Sequence, residues 1–363
     1  MQKKKYVILC TNVNNRDKEE IVRKQLIEIK NKIEKYHDNR LWDRYKKGTN
    51  EYELIFTSCY NYPSIALKKP ISRSYFKHWE LMHDFGLFMK NKNEITASFI
   101  AEGPGGFIEA FVDYTGKNNI ATKQLYGITL LSNDKNVPQW KLPKQYRKKL
   151  SFLNGADNTG SLYNPENISD FIKTIGENGC DYVTCDGGFD FSNDFNNQEE
   201  ASLKLIKCEC YLGMRILKLG GIFVIKLFDF NHKDTRAILY MLYKSFKKVY
   251  FYKPNTSRPA NSEKYIVCCH YFGNDIEYLD NLLLSNQIDE KIDAESGFNE
   301  ALTEYNILYM ENQTMNIAST LDYIKKQKNP DENIYQQYKC SIDWCKKYGL
   351  ETSLSSIKFY NNI

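Results

Sequence analysis

The stretch Ile95-Thr96-Ala97-Ser98-Phe99-Ile100-Ala101-Glu102-Gly103-Pro104-Gly105-Gly106-Phe107 decides the fold. Its first half is apolar and predicts a buried β-strand, and a helix is predicted from Phe107 to Tyr114. Between them lies a turn with three glycines, which lets the backbone approach a ligand closely. In an α/β sheet, such a strand-to-helix turn is where a nucleotide-like ligand binds. The stretch therefore predicts the start of a βαβ unit and a ligand-binding loop.

The residues after this stretch continue the alternation of strands and helices. Further strands are predicted at 126–130, 182–185, 222–225, 249–252 and 265–271, with helices between them. The pair Gly220-Gly221 is expected to end a long helix. The loop between the last two strands is too short for a crossover helix, so these strands should be antiparallel. The prediction is an α/β, Rossmann-like sheet, mostly parallel with an antiparallel last strand.

The glycine-rich loop is a candidate cofactor site. Its expected binding residues are Glu102, Gly103, Pro104, Gly105, Gly106 and Phe107. The loop lacks the Gly-x-x-x-x-Gly-Lys-Ser/Thr pattern of a P-loop and the dinucleotide pattern Gly-x-Gly-x-x-Gly. A purely structural turn remains the alternative. A second candidate, Asp157, follows another predicted strand, where its carboxylate could accept hydrogen bonds from a nucleoside or simply form a turn.

Four charged residues are candidates for catalysis. Lys226 interrupts the apolar run 222–228, where an unpaired ammonium group is costly. Asp186 ends a neighbouring predicted strand and should lie at the same carboxyl edge of the sheet. Glu263 begins the last strand, and Lys77 lies in a helix predicted before the sheet. The alternative is that Lys226 and Asp186 form an ordinary buried ion pair and that the other two are surface charges.

These motifs resemble those of FtsJ-like RNA ribose methyltransferases, whose catalytic tetrad runs Lys, Asp, Lys, Glu along the chain. Four segments are similar above all to cap-specific mRNA 2′-O-methyltransferases of eukaryotes and large DNA viruses. They are Glu102-Gly-Pro-Gly-Gly-Phe107, Asp186-Gly-Gly-Phe189, Val224-Ile-Lys-Leu-Phe-Asp229 and Thr256-Ser-Arg-Pro-Ala-Asn-Ser-Glu263. The resemblance covers residues 72–272 and implies a class I methyltransferase sheet. It also implies the tetrad Lys77, Asp186, Lys226 and Glu263.

The implied reaction is methyl transfer from S-adenosyl-L-methionine to the ribose 2′-hydroxyl of the first transcribed nucleotide of capped mRNA. The glycine loop, Asp157 and Asp186 would then hold the cofactor. Capped RNA is the implied partner, and the residues implied to face it are Arg73, Asn197, Gln198, Arg258 and Asn261. Rings that stack on the cap guanine are expected among Phe228, Phe230 and the tyrosines. Two alternatives stay open: methylation of ribosomal or transfer RNA, and a non-catalytic RNA-binding or polymerase-accessory subunit with this fold.

In this interpretation Lys226 is the base that takes the proton of the 2′-hydroxyl. A free lysine has a pKa of ~10.4, so a base that works near neutral pH needs surroundings that lower this value. Burial and the charge of Lys77 lower the pKa of Lys226, whereas Asp186 and Glu263 raise it. The sequence leaves open which influence is larger.

Composition sets further bounds on function. The net charge of +5 permits an anionic partner without requiring one, and no apolar run approaches the ~20 residues of a membrane-spanning helix. The ten cysteines include no Cys-x-x-Cys pair, so we expect reduced thiols and no metal site. The high content of Asn, Lys, Ile and Tyr is compatible with the AT-rich genome of a large cytoplasmic virus. The expected location is the cytoplasm, a viral factory or virion included, with the nucleus as the alternative.

The chain is predicted to contain a mainly helical N-terminal extension at 1–70, an FtsJ-like domain at 71–275 and a helical C-terminal extension at 276–363. An amphipathic helix is expected within 14–45, and further helical stretches at 319–327 and 333–347. The extensions carry no recognisable chemistry. They are therefore candidate surfaces for other capping or transcription proteins.

Overall fold

The computed structural model describes residues 16–36, 40–58, 61–87, 94–176, 179–188, 196–273, 280 and 296–362. The α-helices are α1 Arg16–Asn31, α2 Leu41–Gly48, α3 Ser74–Phe85, α4 Gly106–Lys117, α5 Lys144–Arg147, α6 Pro165–Ile175, α7 Gln198–Ile216, α8 Lys233–Ser245, α9 Ser296–Lys325, α10 Ile334–Lys347 and α11 Leu354–Asn361. The strands are β1 Ile95–Ile100, β2 Thr122–Ile128, β3 Leu150–Phe152, β4 Cys180–Cys185, β5 Leu217–Leu227, β6 Phe246–Tyr252 and β7 Lys264–Tyr271. None of these helices combines the length and apolar character needed to cross a membrane.

The described strands form one sheet in the order β3-β2-β1-β4-β5-β7-β6. The first five strands in this order are parallel to one another, and β7 is antiparallel to both β5 and β6. The prediction of a mostly parallel, Rossmann-like sheet with an antiparallel last strand is confirmed. The chain builds β1 to β3 in one direction and then returns to place β4 on the other side of β1. In such sheets ligands bind at the carboxyl ends of the strands where the order reverses, here between β1 and β4.

Strand β1 is mostly apolar, and its two polar residues, Thr96 and Ser98, are small. All six of its side chains are buried, as expected for a strand covered by helices on both faces. Phe99 of β1 packs edge-on against Phe111 of α4, and the ring of Phe111 stacks on Tyr182 of β4. Helix α4 therefore covers β1 and β4, and this packing fixes the glycine-rich loop before α4 at the carboxyl edge of the sheet.

The prediction that Gly220-Gly221 ends a helix is wrong. Helix α7 ends earlier, at Ile216, and both glycines lie inside β5. Here the single residue Asp181 of β4 faces residues 218–221 of β5, so β5 bulges. Gly220 has a left-handed backbone (φ 80°) in this bulge. Because the same backbone conformation serves helix ends and bulges, the glycine pair alone does not distinguish them.

The helix predicted within 14–45 is interrupted. Helix α1 ends at Asn31, a short 3₁₀ helix follows at Glu34–Tyr36, and α2 begins at Leu41. Arg40, just before α2, has a left-handed backbone (φ 53°) that a continuous helix does not allow. In the C-terminal part, the predicted stretches 319–327 and 333–347 correspond to the end of α9 and to α10.

The chain divides into two compact units. The sheet unit contains Asp84–Lys253 and Glu263–Leu302, and the helical unit contains Val13–His83, Pro254–Ser262 and Thr303–Ile363. Helix α3 and the loop Pro254–Ser262 thus group with the terminal helices. The predicted segments 1–70, 71–275 and 276–363 follow chain order rather than spatial proximity, and they stay a prediction.

In the helical unit, the carboxylate of Glu80 on α3 is buried (1% exposed) and holds a loop in place. It accepts hydrogen bonds from the backbone N–H groups of Asn255 (2.9 Å) and Thr256 (3.2 Å) and from the Thr256 hydroxyl (3.1 Å). The indole N–H of Trp344 on α10 also donates to it (3.2 Å). A buried carboxylate is tolerated when its oxygens are satisfied in this way. Glu80 therefore connects the loop Pro254–Ser262 to α3 and α10.

Replacing Glu80 should destabilise the helical unit. Glu80→Ala should lower the free energy of unfolding by about 3 kcal/mol, because it leaves several buried donors unpaired and opens a cavity. Urea unfolding followed by circular dichroism measures this change. The matched control is Glu332→Ala, at an exposed glutamate of the same unit, which should change stability by less than about 0.5 kcal/mol. Equal stability of Glu80→Ala and the wild type would contradict this role.

Candidate active site

The candidate site lies in the sheet unit, at the carboxyl edge of the parallel strands. Glu102 follows β1, Asp186 follows β4, and Lys226 is the last residue but one of β5. Strand β7 runs in the opposite direction, so its start lies beside the end of β5. Glu263 immediately precedes β7 and therefore reaches the same edge.

Lys226 and Asp186 form the centre of the site. The Nζ atom of Lys226 is 3.2 Å from Oδ1 of Asp186 and donates a hydrogen bond to the backbone oxygen of Asp186 (2.8 Å). The hydroxyl of Tyr265, which faces Lys226 across the β5–β7 pair, donates to Oδ1 of Asp186 (2.8 Å). Lys226 is only 9% exposed. The structure thus brings together the lysine and the aspartate that sequence reasoning paired.

The pKa of Lys226 is raised, which answers the question that the sequence left open. Burial lowers this pKa, but the carboxylates of Asp186, Glu263 and Glu209 together raise it by more. Lys226 is therefore a cation at neutral pH in this structure. Glu263 is half-buried, and its backbone oxygen accepts a hydrogen bond from Lys253 Nζ (2.7 Å).

Two further carboxyl groups, of Glu102 and Glu209, lie near this pair. Glu102 accepts a hydrogen bond from the Thr184 hydroxyl (2.5 Å), and burial, reinforced by Asp186, raises the pKa of Glu102 well above its ordinary value. Glu209 of α7 is fully buried and accepts a hydrogen bond from the backbone N–H of Gly187 (3.0 Å). Sequence reasoning missed Glu209. The available signal was a charged residue on the apolar face of a helix, beside Ile206 and Cys210.

The glycine-rich loop is packed closely against the backbone of Pro138 and the side chain of Leu142. A side chain at Gly103 would meet the carbonyl oxygen of Pro138 at 2.3 Å, and one at Gly105, whose φ is 116°, would meet Leu142 at 2.6 Å. Helix α4 starts at Gly106, and no side chain caps its N-terminus. Its first backbone N–H groups are thus a potential anion site. The ring of Phe107 is fully buried against Tyr265, so it offers no free face to a ligand.

Asp157 lies in the exposed turn between β3 and α6 and organises that turn. Its carboxylate accepts hydrogen bonds from the side chains of Asn164 (2.8 Å), Thr159 (2.7 Å) and Asn167 (2.8 Å) and from the backbone N–H of Thr159 (2.9 Å). These bonds, that of Asn164 first, lower the pKa of Asp157. The structure therefore supports the turn interpretation directly, and a cofactor contact stays a prediction.

The residues predicted to face RNA lie in both units. In the sheet unit, Asn197 is exposed just before α7 and Gln198 is its first residue. Phe189 of the Asp186-Gly-Gly-Phe189 segment lies outside the described residues. The rings of Phe228 and Phe230 are buried, and Phe230 packs against Phe251 and Lys264. The expectation that either ring stacks on a cap guanine is wrong for this structure, because a buried ring offers no free face.

In the helical unit, Lys77 is half-buried on α3 and Asn261 is exposed. Arg73 donates hydrogen bonds to the backbone oxygens of Tyr52 (3.0 Å), Phe56 (2.6 Å) and Thr256 (3.0 Å). Arg258 forms two hydrogen bonds with the carboxylate of Glu53 (2.9 and 2.8 Å). Burial raises the pKa of Glu53, but Arg73 and Arg258 lower it by more. Both guanidinium groups therefore hold the loop Pro254–Ser262 in the helical unit, a role that sequence reasoning did not anticipate.

Comparisons with known proteins identify the family to which the chain belongs. Residues 70–271 match the model of the family described as FtsJ-like methyltransferase. A relative from Autographa californica nuclear polyhedrosis virus, named cap-specific mRNA (nucleoside-2′-O-)-methyltransferase, is 34% identical over 183 residues, which are 48% of this chain and 67% of the relative. Two further relatives are named cap-specific mRNA (nucleoside-2′-O-)-methyltransferase 1. The one from Xenopus laevis is 34% identical over 175 residues, and the one from Homo sapiens is 34% identical over 179 residues.

In both vertebrate relatives the matched part is 47% of this chain and 20% of the relative, so the chain spans only a fifth of their length. The family model, in contrast, covers more than half of this chain and includes every strand of the sheet. The resemblance inferred from the four sequence segments is confirmed: the chain belongs to the FtsJ-like methyltransferase family.

Proposed function

We propose that this chain transfers the methyl group of S-adenosylmethionine to the ribose 2′-hydroxyl of the first transcribed nucleotide of capped mRNA. The observation that carries the proposal is the ion pair of Lys226 and Asp186 at the carboxyl edge of the sheet, with Glu263 acting on the same lysine. The names of the relatives support the cap and the 2′-hydroxyl as target. The order of Lys77, Asp186, Lys226 and Glu263 along the chain agrees with the tetrad of the family.

The residues at the carboxyl ends of β1 and β4 fit S-adenosylmethionine. The uncapped N-terminus of α4 offers backbone N–H groups to a carboxylate. Glu102 and Asp186 offer oxygens to ammonium and sulfonium groups. Gly103, Pro104, Gly105, Gly106 and the backbone of Phe107 complete the proposed cofactor loop. Asp157 is the proposed adenosine contact, which requires its carboxylate to exchange one of its present partners.

When bound, S-adenosylmethionine supplies an electrophilic methyl group, and the protein must position the 2′-oxygen and remove its proton. Lys226 Nζ is the proposed acceptor of this proton. Asp186 fixes Lys226 through its carboxylate and its backbone oxygen. Because Lys226 must be neutral to accept a proton, its raised pKa has to be countered. Positive charge bound beside Asp186 lowers that pKa by electrostatic repulsion.

The other candidate residues have supporting roles in this proposal. Glu263 and Asp186 orient Lys226, and Lys77 stabilises negative charge that develops on the 2′-oxygen. Asn197, Gln198 and Asn261 are the proposed RNA contacts. Arg73 and Arg258 are proposed to shape the RNA-facing loop Pro254–Ser262 through Glu53, since their guanidinium groups already bind protein oxygens.

A basic strip supports a polyanionic substrate. It consists of the exposed side chains of Lys141, Lys144, Arg147, Lys148 and Lys149. None of these forms an ion pair with an acidic residue in the part of the chain that the structure describes. The backbone N–H of Lys141 donates to the carbonyl of Pro104 (3.0 Å), so the strip begins beside the glycine-rich loop. Cations without a carboxylate partner next to the proposed cofactor loop favour contact with RNA phosphates.

Removing the proposed base should stop the reaction without preventing cofactor binding. Lys226→Met should lower kcat by at least about 100-fold, because the side chain keeps its volume and loses the amine. Transfer of labelled methyl to capped RNA measures turnover, and calorimetry measures cofactor affinity. Lys218→Met, at a half-exposed lysine of the same strand, should leave both nearly unchanged. Retained turnover with lost cofactor binding in Lys226→Met would contradict the assignment.

The substrate is tested with three short RNAs of identical sequence. One carries a methylguanosine cap, the second is uncapped, and the third is capped and already 2′-O-methylated at its first nucleotide. We expect label only in the first, because the other two lack the cap or the free hydroxyl. Equal labelling of capped and uncapped RNA would favour ribosomal or transfer RNA, and binding without any labelling would favour the accessory-subunit alternative.

The basic strip predicts how binding depends on salt. In the triple variant Lys144→Ser, Lys148→Ser, Lys149→Ser, the slope of log affinity against log salt for a capped RNA of about 20 nucleotides should fall by roughly 2, because three phosphate contacts are lost. Affinity for a capped dinucleotide should not change. The control is the exposed triplet Lys244→Ser, Lys247→Ser, Lys248→Ser on another part of the sheet unit. Equal slopes for the two triple variants would refute a specific role for the strip.

A further inference from the structure

Glu209 is a fully buried acid that the proposed reaction does not use. It lies on α7, with Ile206 and Cys210 buried on the same helix face, and its own exposure is 0%. Ionisable side chains are rarely placed in such surroundings without a partner or a function, because burying a charge is costly.

The two oxygens of Glu209 have different surroundings. Oε1 accepts the hydrogen bond of the Gly187 backbone N–H (3.0 Å), and a side chain at Gly187 would lie 2.2 Å from the same oxygen. Oε2 is buried and has no hydrogen-bond partner among the described residues. The carboxyl group therefore connects the loop Asp186-Gly187-Gly188 to helix α7 through this hydrogen bond. Because an ionised oxygen without a partner is unfavourable at this position, Oε2 is suited to carry a proton.

The charged surroundings of Glu209 connect it to the catalytic pair. Lys226 on β5 attracts its negative charge, and Asp186 after β4 repels it. Glu209 in turn affects the titration of the groups around it on other elements: Glu102 after β1, Cys185 on β4, Tyr163 before α6, and Cys208 and Cys210 on α7. Within this set, Lys226 is the cation that the acids share.

We propose that Glu209 is a positioning residue of the active site: Oε1 fixes the Asp186 loop through the Gly187 N–H, and the proton on Oε2 keeps negative charge away from Lys226. This inference rests on the proposed function. The protonated acid lets Asp186 and Glu263 hold Lys226 without a further negative charge that would oppose its loss of a proton. Ionisation of Glu209 would raise the pKa of Lys226 further and so lower the fraction of Lys226 that is neutral and able to accept a proton.

The titration of Glu209 agrees with this geometry. Burial raises its pKa to about 8, with Lys226 and the Gly187 N–H acting in the opposite direction. Glu209 is therefore mostly protonated at neutral pH and ionises just above it. Its negative charge contributes to raising the pKa of Lys226.

Two variants separate the hydrogen bond from the charge. Glu209→Gln keeps an acceptor for Gly187 and resembles the protonated acid, whereas Glu209→Leu removes the acceptor. We expect kcat of the Leu variant to be roughly tenfold or more below that of the Gln variant, because the buried Gly187 N–H loses its partner. Above about pH 8, where Glu209 of the wild type ionises and the glutamine does not, kcat of the Gln variant should exceed that of the wild type, because no negative charge next to Lys226 opposes its loss of a proton. Equal kcat for the Gln and Leu variants, or equal kcat of Glu209→Gln and the wild type at pH 9, would overturn the proposal.

Stability provides a readout that does not depend on methyl transfer. A carboxyl group whose pKa is raised on folding makes the folded protein bind more protons than the unfolded chain between about pH 4.5 and 8, so stability falls as pH rises through this window. Glu209→Gln should therefore have a Tm several degrees above the wild type at pH 9 and an equal Tm near pH 5. Glu200→Gln, at an exposed position on the same helix, should follow the wild type at both values.

The two readouts distinguish the possible failures. In the first case, Glu209→Gln gains Tm at high pH, but the wild type transfers no methyl group to any RNA. This result would support a buried, protonated Glu209, but it would overturn the proposed function and with it the positioning role. A Tm difference between Glu209→Gln and the wild type that is the same at pH 5 and pH 9 would show that Glu209 holds no proton at neutral pH, which refutes the proposal even if the enzyme is active.

Discussion

The structure of the site depends on one buried cation. Lys226 lies near the end of strand β5, between apolar residues. Desolvation alone would favour the neutral amine there, or a side chain turned towards solvent. Lys226 remains charged because the carboxylates of Asp186 and Glu263 approach it from a loop and a strand start, and Glu209 on a helix adds to this attraction when it is ionised. The acids more than compensate for burial, since they raise the pKa of Lys226 above that of a free lysine. The Tyr265 hydroxyl donates a hydrogen bond to Asp186 and so helps to hold this carboxylate beside Lys226.

The antiparallel strand is what allows these acids to meet. In a parallel sheet all strands end at one edge, so β1, β4 and β5 deliver Glu102, Asp186 and Lys226 there. A residue that starts a strand can join them only if that strand runs in the opposite direction. Strand β7 does so beside β5, which places Glu263 and Tyr265 at the end of β5. The antiparallel strand thus brings residues from a strand start to the edge where the parallel strands end, which parallel strands alone could not do.

The sequence predicted the parts of this site that local patterns encode. A lysine within an apolar run and an aspartate before two glycines mark strand ends, and both were found at the expected edge. The Gly220-Gly221 pair was misread because a helix end and a bulge use the same backbone conformation. Glu209 and the partners of Arg73 and Arg258 could not be predicted in this way. Arg258 binds Glu53 from a distant part of the chain, and such contacts depend on tertiary packing rather than on spacing.

The surplus of carboxyl groups has a consequence for the catalytic cycle under the proposed function. Burial, with repulsion from Asp186 added, raises the pKa values of Glu102 and Glu209, so ionisation of both acids in this site is unfavourable. Under that proposal, the acids around Lys226 would attract the sulfonium cation of S-adenosylmethionine. They would attract the uncharged thioether product less, because it lacks that charge. The same acids that hold Lys226 would therefore favour exchange of the spent cofactor for a new one.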